Sequence, residues 1–547
     1  MMNKFIQLTI AQIKNQFRFN PKVKSKYKPL IIIGLILAFT PLIGSVSYLM
    51  YMFGQAATMI NIAPQFLTIL FFGVQFIVIF FSVPTLFSFL YSAKDNEMLS
   101  TLPIKPSAIF FSKLVITYLT EITVSVFMLP TLIAFGIGAG AGVLFYVMIP
   151  FIILLLPILP LLLASILTIP LMYIVSYFKN RSALASIFVM LITLVVFGFY
   201  LYFVYSASSF MPESSEQIDL TGIASAFTSI ANILFFNFAF AKIMILGENI
   251  ALNLVIGLGT NAALLVIAAF ISSRFYQKGV SAQLENSQKT NAKAQEFVSR
   301  SAMKSLIIKD FKELLKNTSL AFYCSFSIIF TPLFIVFYLG SGIMGGGGLA
   351  FGGINVMPIL VFGFIFMLGI GMNYVATSSI TRENNSAYIL KIIPVSYKTI
   401  IQAKLIMGLA VAIIAIFVSL LTAIISLHLN ILMVIVITGA LLILAYAFTC
   451  LALDTDIRKP RLHYTSIASG LKNSPSSLAS MLASFVFTGI IAIIFVSGYM
   501  WLVPLVGMII GEVIMWSAVY VISIILAIIF HKRLYNGAEQ KLSNILV

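Results

Sequence analysis

The chain has 547 residues, 61% of them hydrophobic and only 9% charged, with a mean hydropathy of +1.09. A soluble domain covers itself with roughly 25% charged residues, so this composition excludes a water-soluble enzyme and makes lipid the solvent. The formal net charge of +17 suits either nucleic acid or a membrane surface, and its placement along the chain decides between them.

Apolar stretches of about 20 residues cross a bilayer as helices. They predict spans near 29–53, 65–91, 109–136, 143–176, 182–205 and 250–273, then 319–341, 354–380, 397–426, 430–453, 477–499 and 506–530. The first is preceded by a basic segment, 1–28, with no small-residue cleavage pattern, so no removable signal peptide is expected. In that segment Lys4, Gln7, Ala11, Lys14 and Arg18 recur at three- and four-residue spacing, while Phe5, Leu8, Ile13 and Phe17 lie elsewhere on the wheel. This predicts an interfacial helix.

The second span leads into YSAKDNEMLSTLPIKPSAIFFSKL (91–114). Glu121 falls inside the third span, where a carboxyl costs at least ~2.5 kcal/mol and usually faces a cavity or a partner. It reads either as a polar lining or proton relay, or as a carboxyl bonded to neighbouring Ser and Thr. The fourth span carries Pro150, Pro157, Pro160 and Pro170, each expected to bend it. An external loop with Glu213, Glu216 and Asp219 follows the fifth span. The polar stretch 274–301 reads as a linker too short to fold alone.

The second half opens on Leu306, Ile307, Phe311 and Leu314 beside Lys309, Lys312, Glu313 and Lys316, a second interfacial helix. Gly340-Ser341-Gly342-Ile343-Met344-Gly345 matches GxGxxG but follows no strand, so it reads as an external loop. Cys324 and Cys450 sit in apolar stretches and read as small hydrophobes. His428, His463 and His531 are scattered, so no metal site is expected. Asn317-Thr318-Ser319 is a glycosylation acceptor only in form, because it falls on the cytoplasmic side. Glu512, near the end of the last span, reads as an interfacial carboxyl.

With the N-terminus inside, the cytoplasmic segments hold 32 of the 33 Lys and Arg residues, Lys242 being the exception. That asymmetry is the orientation rule for short loops. It explains the basic excess without nucleic acid and puts both termini in the cytoplasm.

The loop after the eighth span, SITRENNSAYILKIIPVSYKTIIQAKL (379–405), repeats 91–114 at an offset of 291. Leu99 meets Leu390, Pro103 meets Pro394, Ile109 meets Ile400 and Lys113 meets Lys404. A second echo sets Phe178-Lys179-Asn180 against Leu471-Lys472-Asn473 at an offset of 293. The expected fold is therefore an all-α membrane protein of about twelve helices in two parallel six-helix repeats, each preceded by an interfacial helix. Its parts would be 1–273, the linker 274–301, and 302–547.

The repeated element resembles the loop between the second and third spans of type-2 ATP-binding cassette exporter permeases. The points of likeness are a short acidic-to-apolar helix, Leu-Pro or Ile-Pro, and a Lys opening the next span. The interfacial helices resemble that family's elbow helices. LALDTDIRKPRLHY (451–464), with Asp454, Asp456, Arg458 and Pro460, resembles an Asp…Arg-x-Pro pattern in duplicated exporter permeases; the first half lacks it. The resemblance implies a permease subunit in a bacterial plasma membrane, moving apolar or amphipathic cargo outward through a path between its halves. It implies coupling loops at 92–105 and 381–396 that dock on separate ATPase subunits, a homodimer or a pair. Lys94, Asp95 and Glu97, and in the second loop Arg382, Glu383 and Lys391, would offer surface charge to that partner. Pro103 and Pro394 would stop each short helix. The alternative is a tight loop with solvated charges.

No GxxxxGK[ST] loop is present, so ATP would be bound by the partner and this chain would need no cofactor. Two rivals remain. A proton-coupled secondary transporter with two parallel repeats would depend on Glu121. A membrane-embedded lipid-modifying enzyme would use 454–463, with its two Asp and His463.

Overall fold

The computed structural model describes residues 2–16, 28–91, 93, 95–175, 181–208, 220–287, 301–316, 318–336, 350–351, 354–355, 357–462, 464, 467–472 and 474–543. The echo at 178–180, Lys94, the acids of 213–219, the glycine run 340–348, Asn317 and His463 lie outside them. The chain divides into two compact units, Met1–Asn291 and Ala292–Val547. Apart from one short antiparallel pair, Ala350–Phe351 with Ile354–Asn355, every described element is helical.

The first unit begins with α1 (Met2–Gln16), then α2 (Lys28–Met59), α3 (Ala63–Tyr91), the short α4 (Asn96–Thr101) and α5 (Pro106–Val126). The expected third span is broken. Helix α5 ends before Phe127, and α6 (Leu129–Gly138) restarts with Pro130 in its first turn, where a missing N–H costs nothing. The fourth span is α7 (Val143–Leu155) and α8 (Ile158–Val175). Only Pro157 of its four prolines sits at the interruption; Pro150 and Pro170 lie inside continuous helix. After α9 (Arg181–Ser208) the structure corrects the expected loop. Residues 220–246 form α10 (Leu220–Ile233) and α11 (Phe235–Leu246), bent by 117° into a broken span or a re-entrant pair. The stretch is apolar enough to enter the membrane but too short on each arm to cross it, which hid it from a window of span length. Gly247, at φ +64, ends α11 in the left-handed conformation. Helix α12 (Ile250–Ser287) then continues well past the expected end of the sixth span.

Packing within this unit uses small residues and rings. A Cβ on Gly138 would lie 2.1 Å from the Tyr51 carbonyl oxygen, and one on Gly54 would lie 2.5 Å from that of Phe135. Backbones of α2 and α6 therefore approach as small-residue helix pairs do in membranes. Phe71, Phe135, Phe145 and Phe240 fill the adjoining core.

The second unit opens with α13 (Ala302–Lys316), which leaves α14 (Thr318–Phe334) at 96°. The eighth span is fragmented: α15 (Met357–Phe364), a π turn (Ile365–Ile370), a break at 371–373, α16 (Tyr374–Thr377), a 3₁₀ segment (Thr381–Tyr388) and α17 (Ile389–Ile392). Asn373 closes the break. Its Oδ1 accepts from the Val375 and Ala376 N–H groups, and its Nδ2 donates to the Gly408 carbonyl at 2.8 Å. Next come α18 (Tyr397–Leu427), N-capped by Ser396, and α19 (Ile431–Arg458), N-capped by Asn430. Then α20 (Ile467–Lys472) precedes α21 (Pro475–Ser497), which Ser474 caps and whose first residue is proline. A π turn (Gly498–Leu502) and α22 (Val503–Val506) lead to α23 (Met508–Tyr535) and α24 (Ala538–Ser543). The core is aromatic: Phe362, Phe366, Phe448, Phe487, Phe495 and Trp516, with Phe366 edge-on to Phe448 at 4.8 Å.

Among the described residues nine helices are long and apolar enough to cross a membrane, or up to eleven if each bent pair is one span. The chain is a multi-pass α-helical membrane protein.

Candidate functional site: two anchored loops

In the first unit, α4 is a single short helix between α3 and α5. Leu102 ends it in an extended conformation, as the residue before a proline prefers, and Pro103 lies exposed in the turn. Leu99 and Ile109 pack inward. Lys113 is the eighth residue of α5, not its opening, and is 1% exposed. Its Nζ donates to the Phe89 carbonyl at 2.8 Å, to Asp95 Oδ1 at 3.2 Å and to the Asn96 side-chain oxygen. The Asn96 amide donates to the Leu90 carbonyl at 2.9 Å, closing the end of α3. From α1, the Gln12 amide reaches the second oxygen of Asp95 at 3.5 Å. One buried ammonium thus ties the end of α3, the start of α4 and the base of α5 together.

The second unit builds a larger version. Lys404 is again the eighth residue of its helix and is 3% exposed. It donates to Glu383 Oε1 at 2.8 Å and approaches Asp310 Oδ2 at 3.4 Å. Arg382 donates to the same Asp310 oxygen at 2.7 Å, and Lys309 pairs with the other oxygen of Glu383. Asp310 lies on α13, four residues from both Leu306 and Leu314, so the inward face of the interfacial helix carries a carboxylate. Burial pushes the Asp310 carboxyl up, but Lys404, Arg382 and Lys309 hold it below the usual carboxylate range. Glu313, three residues on, goes the other way: burial and the charge of Glu383 raise it.

Asp310, Glu313 and Glu383 bring three carboxylates within 4.8 Å of one another. Three cations, Lys309, Arg382 and Lys404, already occupy that space and pair with Asp310 and Glu383, while burial favours the uncharged form of Glu313. The cluster is an ion-pair network rather than a cation site.

These contacts correct two expectations. Lys113 and Lys404 do not open their spans; they sit two turns inside, because a buried ammonium needs the carboxylates of the preceding loop. Arg382 and Glu383 offer no surface charge, being 4% and 6% exposed and paired inside the unit. Asp95 is partly covered and bound to Lys113. What faces outward is Glu97, Met98 (66% exposed) and Pro103 in one loop, and Lys391, Ile392 (71% exposed) and Pro394 in the other. An open cavity of about 650 Å³ lies beside the second loop, between Pro394, Lys398, Tyr535 at the end of α23 and Glu539 of α24.

The acidic stretch ending α19 is used twice. Asp456, fully buried, accepts from the Ile380 and Thr381 N–H groups at 2.6 and 3.1 Å and from the Thr381 hydroxyl at 2.5 Å. It caps the 3₁₀ segment from another helix. Asp454, also fully buried, accepts from Arg458, Arg533 and Lys541 at 2.8–2.9 Å. Arg458 is the last residue of α19, and Pro460 follows the helix end.

Glu121 is fully buried on α5. Lys113, Thr117, Glu121 and Ser125, at four-residue spacing, form one buried polar stripe along the helix. The equivalent face of α18 beyond Lys404 runs through Gly408 and Ala412 and carries no charge.

The sequence reading missed Gln12, Asn96, Asp310, Thr381, Arg533 and Lys541. Only Asp310 had left a signal, as an acid on the apolar stripe of a basic amphipathic helix. The others are brought in by tertiary packing.

No family model, curated protein or solved structure matches the chain.

Proposed function

We propose that the chain is the membrane subunit of an ATP-driven exporter, supplying two six-helix halves and coupled to separate ATPase subunits through its two anchored loops. The observation that carries this reading is the placement of Lys113 and Lys404. Each holds the root of its loop, Asp95 or Glu383, to the base of the span that follows, and the interfacial helix joins the same cluster through Gln12 or Asp310. A loop that serves only as a connection has no need of a buried ammonium, which is expensive unless paired. A loop that must pass a push into the membrane does need rigidity at its root. The outward residues, Met98 and Ile392 with Glu97 and Lys391 beside them, give a partner an apolar contact rimmed by charge, the usual anatomy of a protein interface. The apolar spans suit lipid-like or amphipathic cargo.

The test is co-purification of the tagged chain from its native membrane. A nucleotide-binding subunit that comes with it, and is lost when Glu97, Pro103, Lys391 and Pro394 are replaced together, supports the reading. A chain that purifies alone under mild detergent, with no ATPase crosslinked to 96–105 or 386–398, overturns it.

The polar stripe through Glu121 favours a second reading, a proton-coupled transporter. It requires Glu121→Gln to abolish uphill transport while transport stays independent of ATP.

A further inference from the structure

At the ends of α19 and α23 the charges do not balance. The buried carboxylate of Asp454 takes three cations, Arg458, Arg533 and Lys541, leaving an excess of two positive charges. Lys459 and Lys532 add to it by chain position, and the exposed Glu539 subtracts one. The arrangement is built rather than incidental. Each guanidinium reaches Asp454 through Nε alone, and among the described residues its Nη nitrogens take no partner. Both side chains are nearly half exposed, at 43% and 46%. Lys541 is held by the Arg533 and Leu534 carbonyls as well as by Asp454, and Leu542 anchors its helix in the core. Asp454 thus fixes two guanidinium forks side by side with their outer nitrogens open, the geometry that phosphate oxygens fit.

A second, independent observation says what approaches them. Both guanidiniums stand at the ends of helices long and apolar enough to cross a membrane, and the ends of such helices meet the headgroup layer. One turn below Arg533 on α23 is Ile529, and another turn below is Ile525, 50% and 49% exposed. An apolar surface leading up to a cationic pair has the polarity of a phospholipid turned inside out.

We propose that Arg458, Arg533 and Lys541 form the headgroup site of one anionic phospholipid, with its acyl chain along the exposed face of α23. The proposal rests on α19 and α23 being membrane spans and not on the exporter reading. Charge attraction near a membrane surface is worth a severalfold gain in affinity per basic residue.

The test uses the full chain in nanodiscs of equal phosphatidylcholine and phosphatidylglycerol, followed by mild delipidation and native mass spectrometry of what stays bound. One phosphatidylglycerol should be retained in preference to phosphatidylcholine. Retention should fall about fivefold in Arg458→Gln and in Arg533→Gln. Each variant leaves two cations on Asp454, so both should keep a wild-type gel-filtration profile. If either variant fails that check, Ile529→Asp repels the acyl chain instead, and the same loss is expected. Equal retention of the two lipids, or a preference that survives these substitutions, overturns the proposal. Inorganic phosphate that raises the melting temperature in neutral detergent as much as phosphatidylglycerol does would assign the forks to a soluble anion, and the lipid would be wrong.

Discussion

Lys113 and Lys404 occupy the same place in two different helices, the eighth residue of each, yet they face unequal partners. Lys113 meets one partly exposed carboxylate, an amide oxygen and a carbonyl; Lys404 meets two buried carboxylates. Breaking a buried pair leaves an uncompensated charge and costs about 3 kcal/mol or more. At Lys113 the only carboxylate left behind, Asp95, is 25% exposed and can be hydrated, so the cost falls to about 1–2 kcal/mol. Lys404→Met should therefore lower the detergent melting temperature clearly more than Lys113→Met, in scanning fluorimetry of the two variants side by side. Equal shifts would mean that the second network is no more than the first.

Asp310 is expected to make the fold sensitive to acid. Its folded carboxyl titrates below the usual value, so its contribution is complete above about pH 4 and is lost as pH falls through the lower folded value. Glu313 has the opposite sign: its raised carboxyl favours the fold when protonated, and that share is lost as pH rises past its folded value. Asp310→Asn should lower the melting temperature at neutral pH and flatten the fall on acidification. Glu313→Gln should raise stability near neutrality. Melting curves across the acid range check both signs.

Replacing Asp456 by Ala strips three bonds from the start of the 3₁₀ segment at once. Two buried backbone N–H groups would then lack partners, at about 1–3 kcal/mol each. The expected result is local opening, read as proteolytic cleavage within 381–396 that the wild type resists. Cleavage spread evenly along the chain would show that the cap serves the whole unit.

Met98 and Ile392 are both mostly exposed. Met98→Lys and Ile392→Lys should leave the melting temperature within about 1 °C, since surface changes away from special features stay within ±0.5 kcal/mol. Under the exporter reading the pair should reduce ATPase co-purification at least tenfold, about 1.4 kcal/mol, because each puts a charge into an apolar contact. Full recovery of the partner with both substitutions would remove these residues from the interface.

Much of the fold was legible because the bilayer imposes a strict length on apolar runs. Helices α3, α18, α19 and α23 begin or end close to where hydropathy placed them. The failures share a cause: a span-length window averages over breaks. It joined α5 to α6, passed over the interruption at 371–373 and lost α10 and α11. At the loops, the sequence misjudged the direction of Arg382 and Glu383, which face inward. Charge on a loop suggests water, and nothing in residues 379–405 alone shows that Asp310, some 70 residues earlier, waits for Arg382. Arg533 and Lys541 stayed hidden for the same reason, since their partner Asp454 lies about 80 residues away.

The side chain of Asn373 has a mechanical consequence. By capping α16 it lets the inner part of the eighth span stand as a separate piece, and its bond to the Gly408 carbonyl hands that piece to α18. Under the exporter reading, a push at 381–396 would pass sideways into α18 through that bond before it reached α15. The eighth span is thus two pieces rather than one rod, and the asparagine at their joint fastens the inner piece to its neighbour.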